Sequence, residues 1–315
     1  DHRHRRALAR ADRAARRAAL SPRLSAAADP GDGDPIVQQL GISNWGMPQI
    51  GFERFARFAA ELGFAGVELT VLPAWSTRIE AIDRAATDRW RGLLGELGLA
   101  LPAIAAHSPL LDVDEAALAD SYGRLNRAIE LARELCPENP PAINTTIGGS
   151  SGAWDAQRQQ ALERLGPLLD RARAAAVDIA LGPHVGSALH TPEQTAWMLD
   201  QLGRQNLGVN FDYSHFLAQG IALGHSVDLL AADTVHTHLK GVKGRWPDHE
   251  FLVPGEDDYD YAEELWLMDA AGYAGFQTLE VSVMVQRRPG YDALESARLG
   301  HATLQRAFRA AGLKI

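Results

Sequence analysis

Leu207-Gly-Val-Asn-Phe-Asp212-Tyr-Ser-His215 is an apolar run that closes on an acid, then turns toward a histidine. Two later stretches repeat the design: Val235-His236-Thr-His238-Leu-Lys240 and Phe276-Gln-Thr-Leu-Glu280-Val-Ser282. Between those two lies a helical stretch ending Asp269-Ala-Ala-Gly272-Tyr273. Short apolar runs alternating with helical stretches are what parallel strands joined by crossover helices look like in sequence. In a closed parallel barrel, strand ends of this kind converge on one mouth. Asp212, His238 and Glu280 are therefore expected close enough to share one divalent ion.

Outward from that region the pattern continues. Apolar runs occupy residues 37–43, 66–70, 99–106, 142–147, 178–181, 207–211, 235–239 and 276–281. Helical periodicity covers residues 52–62, 117–135, 156–176, 191–202, 261–271 and 294–311, with apolar positions spaced as in Leu162, Leu165, Leu168 and Leu169. Eight strand-like runs interleaved with helices predict an α/β chain, a closed (β/α)8 barrel over residues 36–315. An open doubly wound sheet competes, but it needs a Gly-rich phosphate loop, and Gly41-Ile-Ser-Asn-Trp-Gly46 lacks the spacing. Thr191-Pro192-Glu193 predicts a helix start, and Gly63, Gly98 and Gly272 stand where helices should stop.

Composition sets bounds on function. The chain has 315 residues, 46% apolar, a formal net charge of −9 and a pI near 5.7. Such an acidic balance argues against a nucleic-acid partner. No apolar run is long enough to cross a membrane. The single cysteine, Cys136, excludes an intrachain disulfide framework and a Cys-rich zinc site, and suits a reducing cytoplasm. Residues 1–35 read as an Ala/Arg-rich N-terminal extension and linker, with eight arginines against five aspartates. It is either a targeting segment or a solvated extension packing on the barrel or a neighbouring subunit, so a homo-oligomer or small partner subunit is one expectation.

Strand residues alternate faces, so His236, His238 and Lys240 share one side. One histidine can ligate while Lys240 reaches a substrate oxygen; the competing reading buries both histidines with satisfied nitrogens. Asp212 fits a ligand, though a helix N-cap also explains Asp212 or Ser214. His215 is then a supporting or substrate-binding group. His107 ends another run and suits a hydroxyl or carbonyl partner. Glu68 suits either a substrate contact or a buried partner for a basic residue. Arg245, Arg287 and Arg288 bind hydroxyls near the mouth or are solvated charges. Trp45 stacks on a sugar face or caps the barrel.

From Gly41 onward the chain resembles the xylose-isomerase-like barrels of the sugar phosphate isomerase/epimerase superfamily. The matching pieces are Gly63-Phe-Ala-Gly-Val-Glu68, Asp212-x-x-His215, His236-x-His238-x-Lys240, Pro254-Gly255-Glu256, Gly272-Tyr-Ala-Gly and the segment at Glu280. The resemblance implies one divalent ion held by acids after strands five, six and eight and a histidine on strand seven. The last three carry over to Asp212, His238 and Glu280. At strand five, Ile179-Ala-Leu-Gly182-Pro-His184, glycine replaces the glutamate, and His184 shares its face as an alternative fourth ligand. Gly241 is a second departure, where many relatives carry aspartate.

The same resemblance implies a small-molecule carbohydrate substrate and a metal, manganese first, with zinc, cobalt or magnesium as alternatives. The expected reaction is isomerisation or epimerisation, with the ion polarising a carbonyl while a proton leaves the adjacent carbon. Glu280, His184 and His107 are the acid/base candidates. Two rivals remain: a lyase that eliminates the aglycone from a 3-keto-glycoside, and a non-catalytic sugar-binding barrel that has lost its metal. A DNA-repair barrel would need more zinc ligands and a basic groove.

Overall fold

The computed structural model describes residues 38–314. Seven parallel strands come first: β1 (Gln39–Ser43), β2 (Gly66–Thr70), β3 (Ala100–Ala105), β4 (Ala142–Thr145), β5 (Ile179–Leu181), β6 (Leu207–Phe211) and β7 (Thr234–Leu239). An antiparallel ribbon, β8 (Gly241–Lys243) and β9 (Glu250–Leu252), follows β7. The last barrel strand, β10 (Phe276–Leu279), pairs with both β7 and β1 and closes the cylinder. The expected (β/α)8 barrel is thus the observed fold. Residues 1–35, read as an extension, lie outside the described residues.

Helices wrap the cylinder: α1 (Phe52–Leu62), α2 (Arg84–Leu97), α3 (Glu115–Leu135), α4 (Trp154–Ala175), α5 (Pro192–Leu202), α6 (Tyr213–Ala218), α7 (Leu223–Leu230), α8 (Tyr261–Ala270), α9 (Val283–Gln286) and α10 (Ala293–Ala311). Their apolar stripes explain their docking; α1 buries Phe52, Phe55, Ala56, Phe58 and Ala59. Thr191 and Gln194 form a capping box that starts α5, and α1 stops at Gly63 with φ 89°. Strands β2, β5 and β6 are buried throughout, as expected beneath a helical layer. No helix among the described residues is long and apolar enough to cross a membrane.

On the outer face of the sheet, beneath α8, Gln277 donates to Gln38 at 2.7 Å, Thr237 donates to Gln277 at 3.0 Å and Gln38 donates to the Leu265 carbonyl at 3.1 Å. On the inner face, the C-terminal ends of the strands assemble the site.

Candidate functional site

His236 and His238 are two residues apart on β7 and both point inward, as strand alternation requires. Both meet Glu68 of β2, although β1 and β10 separate the two strands around the barrel. Glu68 Oε2 lies 2.5 Å from His236 Nε2 and 2.7 Å from His238 Nε2, and Oε1 accepts the Ser43 hydroxyl at 2.8 Å. Glu68 is 0% exposed and both oxygens are engaged. Of the two sequence expectations for Glu68, this geometry matches the buried partner of basic residues and leaves no oxygen free for substrate.

The other face of His238 looks to the mouth, where Nδ1 stands 2.5 Å from Glu280 Oε2. Lys240 Nζ lies 3.2 Å from both Glu280 oxygens and also donates to Asp212 Oδ2. Asp212 divides its work between its oxygens. Oδ1 caps α6, accepting from Ser214 N–H at 3.2 Å and its hydroxyl at 2.5 Å, while Oδ2 faces Lys240. One ligand atom each from Asp212, His238 and Glu280 lies within 4.8 Å of the others, all three buried. Two carboxylates and an imidazole are a donor set that fits a divalent ion preferring oxygen and nitrogen. Glu68, His236 and His238 also converge. There one oxygen of Glu68 is shared by both imidazoles and the other accepts from Ser43, so this trio braces His238 from behind.

Electrostatics follow from burial and close charges. Burial pushes the His238 imidazole down, but Glu68 and Glu280 at its two nitrogens outweigh it and raise it to about 10. Burial pushes Glu68 up, yet His238 and His236 hold it well below the ordinary carboxylate range. Glu280 is likewise held low, by Lys240 and then His238 against burial. Burial alone would lower Lys240, but Asp212 and Glu280 keep its ammonium above the usual lysine value. Ligation by His238 would require one ring nitrogen to lose its proton to solvent, freeing the lone pair for the incoming ion.

Gly182 and Gly241, the two positions the sequence reading singled out as departures, are both crowded by other side chains. A Cβ on Gly182 would stand 3.3 Å from His184 Cε1, so the His184 ring folds over the space a residue-182 side chain would enter. A Cβ on Gly241 would stand 2.6 Å from Asp257 Oδ2, so this carboxylate fills the space a residue-241 side chain would enter. His184 itself is not among the three residues whose ligand atoms converge.

His184 and His215 instead form a stacked pair, ring centroids 4.0 Å apart. Backbone partners point to opposite tautomers. His184 Nδ1 faces the Gly182 carbonyl at 3.0 Å, so it carries the proton and Nε2 keeps a lone pair. His215 Nδ1 accepts Val185 N–H at 3.3 Å, which places its proton on Nε2. That Nε2 lies 3.5 Å from Asp212 Oδ2 and is otherwise unpartnered. Burial first, then the Lys240 ammonium, lowers His184; burial and His184 lower His215. Burial and His184 push His107 down to about 3.

A run of rings continues on either side of this pair. His107 lies 5.7 Å from His184 and 4.9 Å from Trp45, which stands 4.8 Å from Trp75. Outward, His215 lies 4.9 Å from Phe251, which lies 4.8 Å from His249. Asn144 at the end of β4 is fully buried with both side-chain polar atoms unpartnered, and Oδ1 lies 3.6 Å from where a Gly182 side chain would begin. Buried polar atoms without partners mark a place that a ligand or water fills. Asn144, Phe251 and His249 escaped the sequence reading; the polar close of the 142–147 run was the available signal for Asn144.

Arg245 is not part of this mouth. It donates to the Leu217 carbonyl at 3.0 Å and lines a separate outer cavity of about 450 Å³ with Lys243, Asp257 and Tyr259. The structure thus places Arg245 at this outer cavity and not beside Asp212, His238 and Glu280. Arg288 braces the ribbon through Glu256 at 2.8 Å and Glu250 at 2.9 Å.

A barrel whose strand ends gather acids, imidazoles and a lysine defines a class of α/β barrel with a polar mouth. The chain belongs to the xylose isomerase-like TIM barrel family, whose model matches residues 56–303. It is 24% identical over 270 residues to an uncharacterised protein of Mycobacterium leprae, covering 79% of this chain and 90% of that protein. Among solved structures it is similar to the IolI protein with a bound zinc atom, at TM-score 0.72 and 16% identity, covering 87% of this chain and 98% of that one. It is also similar to an L-ribulose 3-epimerase, at TM-score 0.67 and 19% identity, covering 88% and 96%.

Proposed function

We propose that this protein is a metal-assisted enzyme that moves a proton beside the carbonyl of a sugar or sugar derivative, as an isomerase or epimerase. The observation that carries this reading is the convergence of Asp212, His238 and Glu280 within 4.8 Å at the barrel mouth. The family, the zinc in the similar IolI protein and the similar epimerase support it. Asp212, His238 and Glu280 would hold the ion, with Glu68 orienting His238 from behind. Manganese comes first, as the family resemblance implies, and zinc, cobalt and magnesium satisfy the same donors. When bound, the ion supplies Lewis acidity that polarises a substrate carbonyl.

The protein's own groups divide the remaining work. His184 is the base, because its Nε2 lone pair is free and burial keeps the ring neutral near pH 7. His215 Nε2–H and the Lys240 ammonium are the donors to substrate oxygens. His107 and Trp45 continue the wall beyond His184, where the indole offers a flat face to a sugar ring.

With His184 as the single base, proton transfer takes place on one face of the substrate, which also suits elimination from a 3-keto-glycoside. Incubation of the Mn²⁺-loaded protein with aldoses, ketoses and 3-keto-glycosides in D₂O separates these outcomes by NMR. Deuterium entering the carbon beside the carbonyl, with ketose–aldose or epimer interconversion, is the expected result. Aglycone release without interconversion would assign the lyase instead. No exchange with any sugar that binds would assign a non-catalytic barrel.

A further inference from the structure

The β8–β9 ribbon carries the ring wall beyond the polar centre. Phe251 on β9 packs against His215, and His249 packs against Phe251 at 4.8 Å. Trp246 then lies 5.6 Å from His249. An unbroken file of rings thus leads from His215, whose Nε2 is 3.5 Å from Asp212, to the outside. Trp246 is 45% exposed, the highest value among the large apolar side chains exposed in the described residues. It is nevertheless held in place. Its backbone N–H donates to the Ala218 carbonyl at 2.8 Å, and its ring lies so close over Gly186 that a Cβ there would sit 2.8 Å from Cη2. Met284, 39% exposed, flanks the ribbon, its sulfur accepting Phe251 N–H at 3.4 Å.

Single exposed apolar side chains are ordinary. This one is different because its ring is packed over Gly186 and against His249, and is continuous with the buried rings of the centre. We propose that Trp246, with His249, Phe251 and Met284, forms an outer subsite for a flat ring carried by the substrate, an aromatic substituent on the sugar. The proposal rests on the sugar reading above and deepens it by naming the substrate class. A second pyranose presents a similar flat apolar face, so the test includes one.

Binding is measured by calorimetry and ligand-observed NMR with 4-nitrophenyl β-D-glucopyranoside, methyl β-D-glucopyranoside, cellobiose and 4-nitrophenol. The aryl glucoside is expected to bind about tenfold more tightly than the methyl glucoside, the scale of one good ring–ring contact. Trp246→Ala should abolish that advantage and leave methyl glucoside affinity unchanged, while Trp246→Phe should keep most of it. Equal binding of aryl and methyl glucosides, or an advantage that survives Trp246→Ala, overturns the proposal; cellobiose outbinding the aryl glucoside overturns it in favour of a second sugar. Should no glucoside bind, the choice of sugar has failed, and 4-nitrophenol still decides: binding lost in Trp246→Ala upholds the subsite, and no binding overturns it.

Discussion

Glu68 Oε2 lies 2.7 Å from His238 Nε2, a contact made across the barrel interior between strands that are not neighbours in the sheet. With Nε2 committed to Glu68, the other ring nitrogen of His238 is the one that faces Glu280. Carboxylates behind ligating histidines fix ring orientation and raise ligand basicity. Glu68→Gln should therefore weaken Mn²⁺ or Zn²⁺ binding by about 10–100-fold in calorimetric titration. Unchanged affinity would show that Glu68 only fills space.

Lys240 stands between Asp212 and Glu280 with its side chain 2% exposed. Removing one partner of a buried ion pair strands the other charges. Lys240→Met should lower the stability of the metal-free protein by about 3–5 kcal/mol in urea titration. Saturating Mn²⁺ should recover more stability in the variant than in the parent, because the ion neutralises the same two acids. Equal stabilisation of both proteins would contradict this placement.

His184 lies outside the converging trio yet carries a free lone pair. His184→Gln should reduce deuterium exchange into substrate by about 100-fold or more, the range of general base catalysis, with metal affinity nearly unchanged. Loss of the ion in this variant would return His184 to the ligand role that the sequence allowed.

Glu264 on α8 gives a pH dependence away from the site. Burial raises its carboxyl to about 8, with the Tyr259 hydroxyl, 2.8 Å away, opposing only in part. In the unfolded chain it ionises near 4.5, so between these values the folded state holds the extra proton. The neutral acid's contribution is full below pH 4.5 and is lost progressively as pH rises to about 8. Glu264→Gln should flatten this decline and be more stable than the parent at pH 8, by an amount on the order of a few kcal/mol, in denaturant melts at both pH values. Parallel pH profiles would contradict it.

Much of the barrel was legible because its strands are short apolar runs cut off by polar residues; β2 and β6 match their expected limits. Asp212, His238 and Glu280 were legible for the same reason, each closing or ending such a run. Helix α2 was not, because its sequence, RAATDRWRGLLGEL, spreads its apolar positions among arginines; only Gly98 signalled its end. The ribbon was hidden because Gly-Arg-Trp-Pro-Asp reads as a turn, and the turn is what lifts Trp246 to the rim. Partners across the barrel, such as Glu68 with His236, depend on closure and register that periodicity does not encode. Likewise, nothing near Gly182 in the chain announces Asn144, nor anything near Gly241 the Asp257 carboxylate.

The central claim is that Asp212, His238 and Glu280 share one cation. Calorimetric titration of Mn²⁺ into metal-free parent, Asp212→Asn and Glu280→Gln tests it most directly. One ion per chain in the parent, with binding lost in both variants, is the result this account predicts. No binding by the parent, or binding that survives both substitutions, would contradict it.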